Sequence, residues 1–190
     1  MRIVSGKSRA LVGVAIAASL AIVPVTAWAK NPMVGGAPMY ANKPIAENAS
    51  HAKNLTTLVA AVKAAGLVDT LASPGPFTVF APTNAAFAKL PKGTVDTLLK
   101  PENLDTLKKI LTYHVVPGTL TAADLMSEVK SGGGKAELKT VAGDTLTVQQ
   151  AGKGLTVTDA KGDVARVTTA NVMQSNGVVH VIDTVMQPGG

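Results

Sequence analysis

The chain has 190 residues, a formal net charge of +6 and no cysteine. That length allows one ordinary domain with a sizeable core plus extras, and the missing thiol excludes disulfides, thiolate catalysis and cysteine-ligated zinc together. Three of the positive charges belong to Arg2, Lys7 and Arg9; without them the balance is +3, with 15 basic residues scattered among 12 acidic ones, a mixed solvated surface rather than a nucleic-acid patch.

Those three residues form a basic start, Ala10 to Val23 an apolar run, and Thr26-Ala27-Trp28-Ala29 a small-x-small ending. The pattern predicts a signal peptide over residues 1–29, cleaved after Ala29, because the apolar run is short of the ~20 residues that span a bilayer. The mature chain then starts at Lys30 and holds no later segment able to cross a membrane. Residues 30–42, with Pro32, Gly35, Gly36 and Pro38 and little periodicity, read as a flexible arm. Residues 43–188 are the expected domain.

Asn42 and Pro44 suit the start of a short helix. Leu55, Leu58, Val59 and Val62 recur at i, i+3, i+4 and i+7, one apolar helical stripe, with Asn54 placed to cap its start and Gly66 its end. Leu67, Val68 and Leu71 continue as a short turn until Ser73-Pro-Gly-Pro76 breaks the chain. Phe77 to Phe80 then alternates as a strand, Pro82 ends it, and Thr83 and Asn84 offer oxygens to a helix over Ala85 to Leu90. All three phenylalanines of the chain lie in this stretch. Thr94 to Leu99 is a short helix. Pro101 opens a longer one, its acids Glu102 and Asp105 early and its bases Lys108 and Lys109 late, as the macrodipole favours.

Tyr113-His114-Val115-Val116 reads as a strand ending at Pro117-Gly118, and Ala122 to Met126 as a small helix. Beyond the flexible tip Ser131 to Gly134 the apolar period becomes two. Leu138 and Val141, Leu146 and Val148, Leu155 and Val157, and Val164 and Val167 mark four short strands of an antiparallel meander. Gly177 to Val185 is apolar on both faces, the pattern of a central strand. The order of elements gives an α+β domain.

Three separated stretches closely resemble the signatures of the fasciclin domain: Thr78 to Phe87, Tyr113-His114 after an apolar helix, and Asn176-Gly-Val-Val-His-Val-Ile-Asp183 followed by Pro188. The resemblance covers about Lys43 to Pro188 and implies a wedge-shaped twisted β core with flanking α-helices. It also implies a secreted or periplasmic adhesion and interaction module, with an extracellular or envelope protein or glycan as partner, and a monomer is the expected state. The chain departs from the family at Ala85, where many members carry an acid.

No residue pattern supports chemistry. His51, His114 and His180 form no H-x-x-x-H or H-E-x-x-H spacing, and neither a nucleophile elbow nor a phosphate loop is present, so no catalytic residue, metal or cofactor is assigned. The alternative class is an enzyme acting on envelope or extracellular polymers. His180, between valines, reads as a core histidine, and Asp183 as the partner of a backbone amide or a nearby turn. In fasciclin domains a tyrosine–histidine motif flanked by branched apolar residues is linked to integrin-dependent adhesion, which makes Tyr113 and His114 candidate interaction residues; the competing expectation, favoured here, is that both stabilise the helix-to-strand junction. The family's second adhesive element, an Asp-Ile pair, is Asn171-Val172 in this chain, so Asn171 and Val172 complete the candidate set. The lost carboxylate removes the group a metal-dependent integrin contact would use.

Overall fold

The computed structural model describes residues 31–189; the expected signal peptide and its cleavage site lie outside them. Seven strands form one sheet in the order β4-β3-β9-β8-β7-β6-β5. They are β3 (Phe77–Pro82), β4 (Val115–Pro117), β5 (Lys135–Lys139), β6 (Thr145–Ala151), β7 (Gly154–Thr158), β8 (Val164–Gln174) and β9 (Gly177–Ile182). From β5 to β9 each strand pairs antiparallel with the next, the expected meander. β9 then lies parallel to β3, Phe77 opposite Gly177 and Pro82 opposite Ile182. The sheet nearly closes, because the amide of Val141, just past β5, donates to the carbonyl of Val115 in β4 at 2.8 Å.

β9 is buried at every position, as its two apolar faces require. Alternation splits its side chains, and those of β3, between two hydrophobic layers. Val79, Ala81, Val179 and Val181 face one layer; Phe80 and Ile182 face the other. The first layer is covered by α1 (Ile45–His51), α2 (Thr56–Ala64), α3 (Val68–Ala72), α4 (Asn84–Ala88), α5 (Thr94–Leu98) and α6 (Leu104–Tyr113). The second is filled by the meander and by α7 (Ala122–Ser131), through Leu125 and Val129. α7 extends five residues past the expected Met126, because Leu125 and Val129 share one face and a full capping box holds its start. There Thr121 Oγ1 accepts from Asp124 N, and Asp124 accepts from Thr121 N; the Thr121 hydroxyl and the Thr121 amide, both donating to the Asp124 carboxylate, outweigh residual desolvation and hold it below its usual range.

The segment read as a flexible arm is instead a hairpin over β1 (Met33–Val34) and β2 (Ala37–Pro38), packed through Val34 and Met39 into the first layer. Gly35 and Gly36 both adopt positive φ, 58° and 80°, the geometry of a tight two-residue hairpin turn. A glycine pair read as looseness was a turn signal.

Helix ends depart from the expected local caps. Asn54 does not cap α2; the amide of Thr57 instead donates to Asn84 Oδ1 at 3.0 Å, and Asn84 Nδ2 donates to Thr56 Oγ1 at 2.8 Å. Asn84 therefore serves a helix 27 residues upstream, while Thr83 alone caps α4 by accepting from Ala86 N. The other end of α2 is as expected. Gly66, at φ 68°, lets Leu67 N donate to Val62 O and Gly66 N to Lys63 O, the paired bonds of a Schellman stop.

Candidate functional site

Tyr113 and His114 are not in a strand. Tyr113 is the last residue of α6 and His114 its C-cap; the strand begins only at Val115. The difference has a local cause. His114 Nδ1 lies 2.8 Å from the carbonyl of Ile110, one helical turn back, and satisfies a terminal carbonyl of α6. The other ring nitrogen, Nε2, accepts from the amide of Met186 at 3.0 Å. A nitrogen that accepts carries no proton, so the ring is the neutral Nδ1–H tautomer and donates to Ile110. Burial lowers the His114 pKa to about 4, although the Ile110 carbonyl and Asp159 favour the charged form.

Tyr113 is fully buried. Its hydroxyl donates to the carbonyl of Thr145 at 3.1 Å and accepts from the amide of Ala160 at 3.0 Å. One phenol thus joins α6 to β6 and to the turn after β7, and burial raises its pKa. His114 is 2% exposed. Both rings face inward, and all their polar atoms are bonded to backbone.

His180 occupies the second layer, stacked on Phe80 with ring centroids 5.6 Å apart. Its Nε2–H donates to Leu120 O at 2.8 Å; Leu120 N donates to Thr78 Oγ1, which donates to Gly118 O. This chain of bonds pins the loop between β4 and α7 onto the central strands. Nδ1 of His180 is buried without a partner, and burial lowers the His180 pKa. Asp183 accepts from the amide of Arg166 at 2.8 Å, the backbone role expected of it. Against a desolvation that pushes its pKa up, the Arg166 amide, the Thr184 hydroxyl and Lys89 hold it below the ordinary carboxylate range.

Asn176 has a role that its place in a signature does not reveal. Its Oδ1 accepts from Ile45 N, the first residue of α1, at 3.0 Å, and its Nδ2 donates to Leu71 O and Ser73 O at 2.7 and 2.9 Å. One buried amide therefore caps the start of α1, 131 residues away, and ties down the end of α3. Asn48, 1% exposed, similarly donates to Tyr40 O and to Gln174 Oε1 and accepts from Tyr40 N. It joins the hairpin to the end of β8. No local sequence signal identifies partners so far apart in the chain.

The second candidate pair divides. Val172 is 1% exposed and belongs to the first hydrophobic layer. Asn171 is exposed, with φ 57°, in a stretch of β8 where the register against β9 shifts. Its Oδ1 accepts from Ala122 N at 2.7 Å and so secures the start of α7. Beside it Met173 is 41% exposed, and Tyr40 and Met33 on the hairpin side are 41% and 58% exposed. Nothing in the spacing of these three apolar side chains marks them as outward-facing.

Among the described residues there is no cluster of three histidine, cysteine, aspartate or glutamate side chains able to hold a metal, and no helix is long and apolar enough to cross a membrane.

The comparisons with known proteins agree with this geometry. A family profile described as the fasciclin domain matches residues 53–188. Protein sll1483 of Synechocystis sp. is 54% identical over 146 residues, covering 76% of this chain and 73% of that protein. Immunogenic protein MPB70 of Mycobacterium bovis is 40% identical over 150 residues, covering 76% of this chain and 69% of its own. Among solved structures, a FAS1 domain pair from the insect cell adhesion molecule Fasciclin I superposes with a TM-score of 0.68 at 19% identity, over 75% of this chain and 50% of that one; at that identity the likeness speaks for the fold. The nearly closed seven-stranded sheet with its flanking helices is the FAS1 fold, and the chain belongs to the fasciclin domain family.

Proposed function

We propose that this protein is a non-enzymatic adhesion and interaction module, exported by a signal peptide cleaved after Ala29 and acting in the periplasm or outside the cell on an envelope or extracellular protein or glycan. Family membership supports the class, since fasciclin domains are associated with cell adhesion and with surface or secreted proteins. A relative described as the cell surface glycolipoprotein MPB83 of Mycobacterium bovis, 38% identical over 157 residues, supports the compartment.

The observation that carries the reading is the internal employment of two of the three histidines; the third, His51, is exposed at the end of α1. His114 and His180 are buried, bonded to backbone and held neutral by desolvation, and Asp183 is engaged by the Arg166 amide. General acid–base catalysis needs such groups within reach of a substrate. Recognition by surface contact does not.

On this reading Tyr113, His114 and Val172 act by holding the fold, and the contact surface is formed by exposed side chains around the β8 irregularity, Asn171 and Met173. An apolar side chain beside an outward-facing amide is suited to a partly polar protein or glycan surface. The test is retention of the mature protein on intact envelope and extracellular fractions. Retention lost on Met173→Glu, with the melting temperature unchanged, supports the assignment; undiminished retention refutes it.

A further inference from the structure

The first hydrophobic layer does not close completely. Between α1, α2 and α3 and the facing strands lies a cavity of about 100 Å³. Its inner wall is aliphatic, with Ile45, Leu55, Leu58, Val79, Val172 and Val179 all buried. The outer lining is largely apolar, with the hydroxyls of Ser50, Thr70 and Thr112 among it, and its Val59, Leu67, Val68, Leu71 and Phe77 remain only half-buried. α3 contributes no buried residue. It covers the space without being rooted in the core, and its C-terminal end is held by polar bonds from Asn176 Nδ2 to Leu71 O and Ser73 O.

Protein interiors pack closely, and unfilled apolar space forfeits contacts. Water gains little here, since an ordered water needs two to four polar partners. The polar side chains that reach the inner wall are already engaged: His114 bonds Ile110 and Met186, and Gln174 bonds Asn48 and Val172. The space is about two thirds of the ~150 Å³ engineered apolar cavity that stays dry and admits benzene. One charged side chain, Lys63 in the last turn of α2, belongs to the lining; it is exposed and makes no ion pair among the described residues.

We propose that this cavity is a binding site for a single aliphatic chain bearing a carboxylate, a fatty acid, with its tail between the helices and the sheet and its head group at Lys63. The inner wall selects the tail, being aliphatic and having its polar side chains, His114 and Gln174, already engaged. The enclosed volume takes the distal end of the chain; the remainder lies along Val59, Leu67, Val68 and Leu71, covering apolar surface that is otherwise partly wet. The lysine selects an anionic over a cationic head group by charge. α3 is the element that yields on entry, because its cover is apolar contact without burial. The site is independent of the adhesion reading and of the surface around Asn171.

The test titrates the full chain with dodecanoate and, separately, with dodecyltrimethylammonium, which has the same tail and the opposite charge. Calorimetry is run below the micelle concentrations, with methyl NMR in parallel. Saturable one-to-one binding of dodecanoate is expected, with shifts concentrated on the methyls of Leu58, Val172 and Val179. Ala49→Phe, which places a ring in the space from α1, weakens binding by about tenfold or more. Lys63→Glu weakens dodecanoate by about two- to fivefold and reverses the head-group preference. Absence of saturable binding, shifts confined to surface methyls, or indifference to head-group charge overturns the proposal. Should Ala49→Phe not fold, the methyl shifts of the unmodified chain and the Lys63→Glu reversal decide the question.

Discussion

The amide of Met186 donates to Nε2 of His114 at 3.0 Å, across 72 residues of sequence, and this bond fixes both the tautomer and the charge of the ring. A second ring proton, placed on that nitrogen, would face the N–H it now accepts from. The C-terminal segment and the end of α6 are therefore joined through a histidine that must stay neutral.

A pH dependence follows. The folded-state pKa of His114 is about 4, against ~6.5 in an unfolded chain. Between these values the unfolded state binds the extra proton, so stability rises with pH through this window and falls as pH drops from about 6.5 to 4. The loss from His114 is ~3 kcal/mol at most. The lowered pKa of His180 acts in the same direction. Urea midpoints measured from pH 8 to pH 4 check this, and in His114→Gln the slope should be shallower on a lower starting stability.

Asn176→Ala should be among the most disruptive single changes to a polar residue. It strands the Ile45 amide and the Leu71 carbonyl, while the Ser73 carbonyl keeps the Gly75 amide, and each buried group left unsatisfied costs ~1–3 kcal/mol. A loss of about 3 kcal/mol or more in denaturant unfolding is expected. Asn176→Asp, which keeps an acceptor for Ile45 but no donor for α3, should fall between the variant and the parent.

Phe80 is completely buried against His180, and Phe87 is 7% exposed in the opposite layer. Phe→Ala at either position should cost ~3–5 kcal/mol. The two substitutions act in separate layers, so the double variant should be close to additive, a relation that equilibrium unfolding of the single and double variants measures.

Much of this architecture is legible in the sequence because it is locally determined. The period-two runs of the meander and the doubly apolar strand from Gly177 are dictated by which neighbours must be covered, and the pattern shows it, although the strand ends at Ile182 and not at the expected Val185. The caps are not local. Asn84 reads as the cap of its own helix but serves α2, and Asn176 reaches α1, so both assignments depend on a tertiary arrangement that a window of residues does not contain. Tyr113-His114 misleads for a related reason. The β-branched pair that follows gives the whole stretch the look of a strand, whereas the bond from the His114 ring to the Ile110 carbonyl completes a helix. Among the candidate interaction residues, burial separates Tyr113, His114 and Val172 from Asn171, a division that composition cannot supply.

Tyr113→Phe removes the hydroxyl that joins Thr145 and Ala160, for a loss of ~0.5–1.5 kcal/mol. The most direct test of the central claim is therefore a paired one: melting temperature and retention on envelope and extracellular fractions, measured for Tyr113→Phe and His114→Ala on the same preparations. A lowered melting temperature with retention preserved below the transition is the predicted result, while an unchanged melting temperature with retention abolished would contradict it and make Tyr113-His114 the adhesive site.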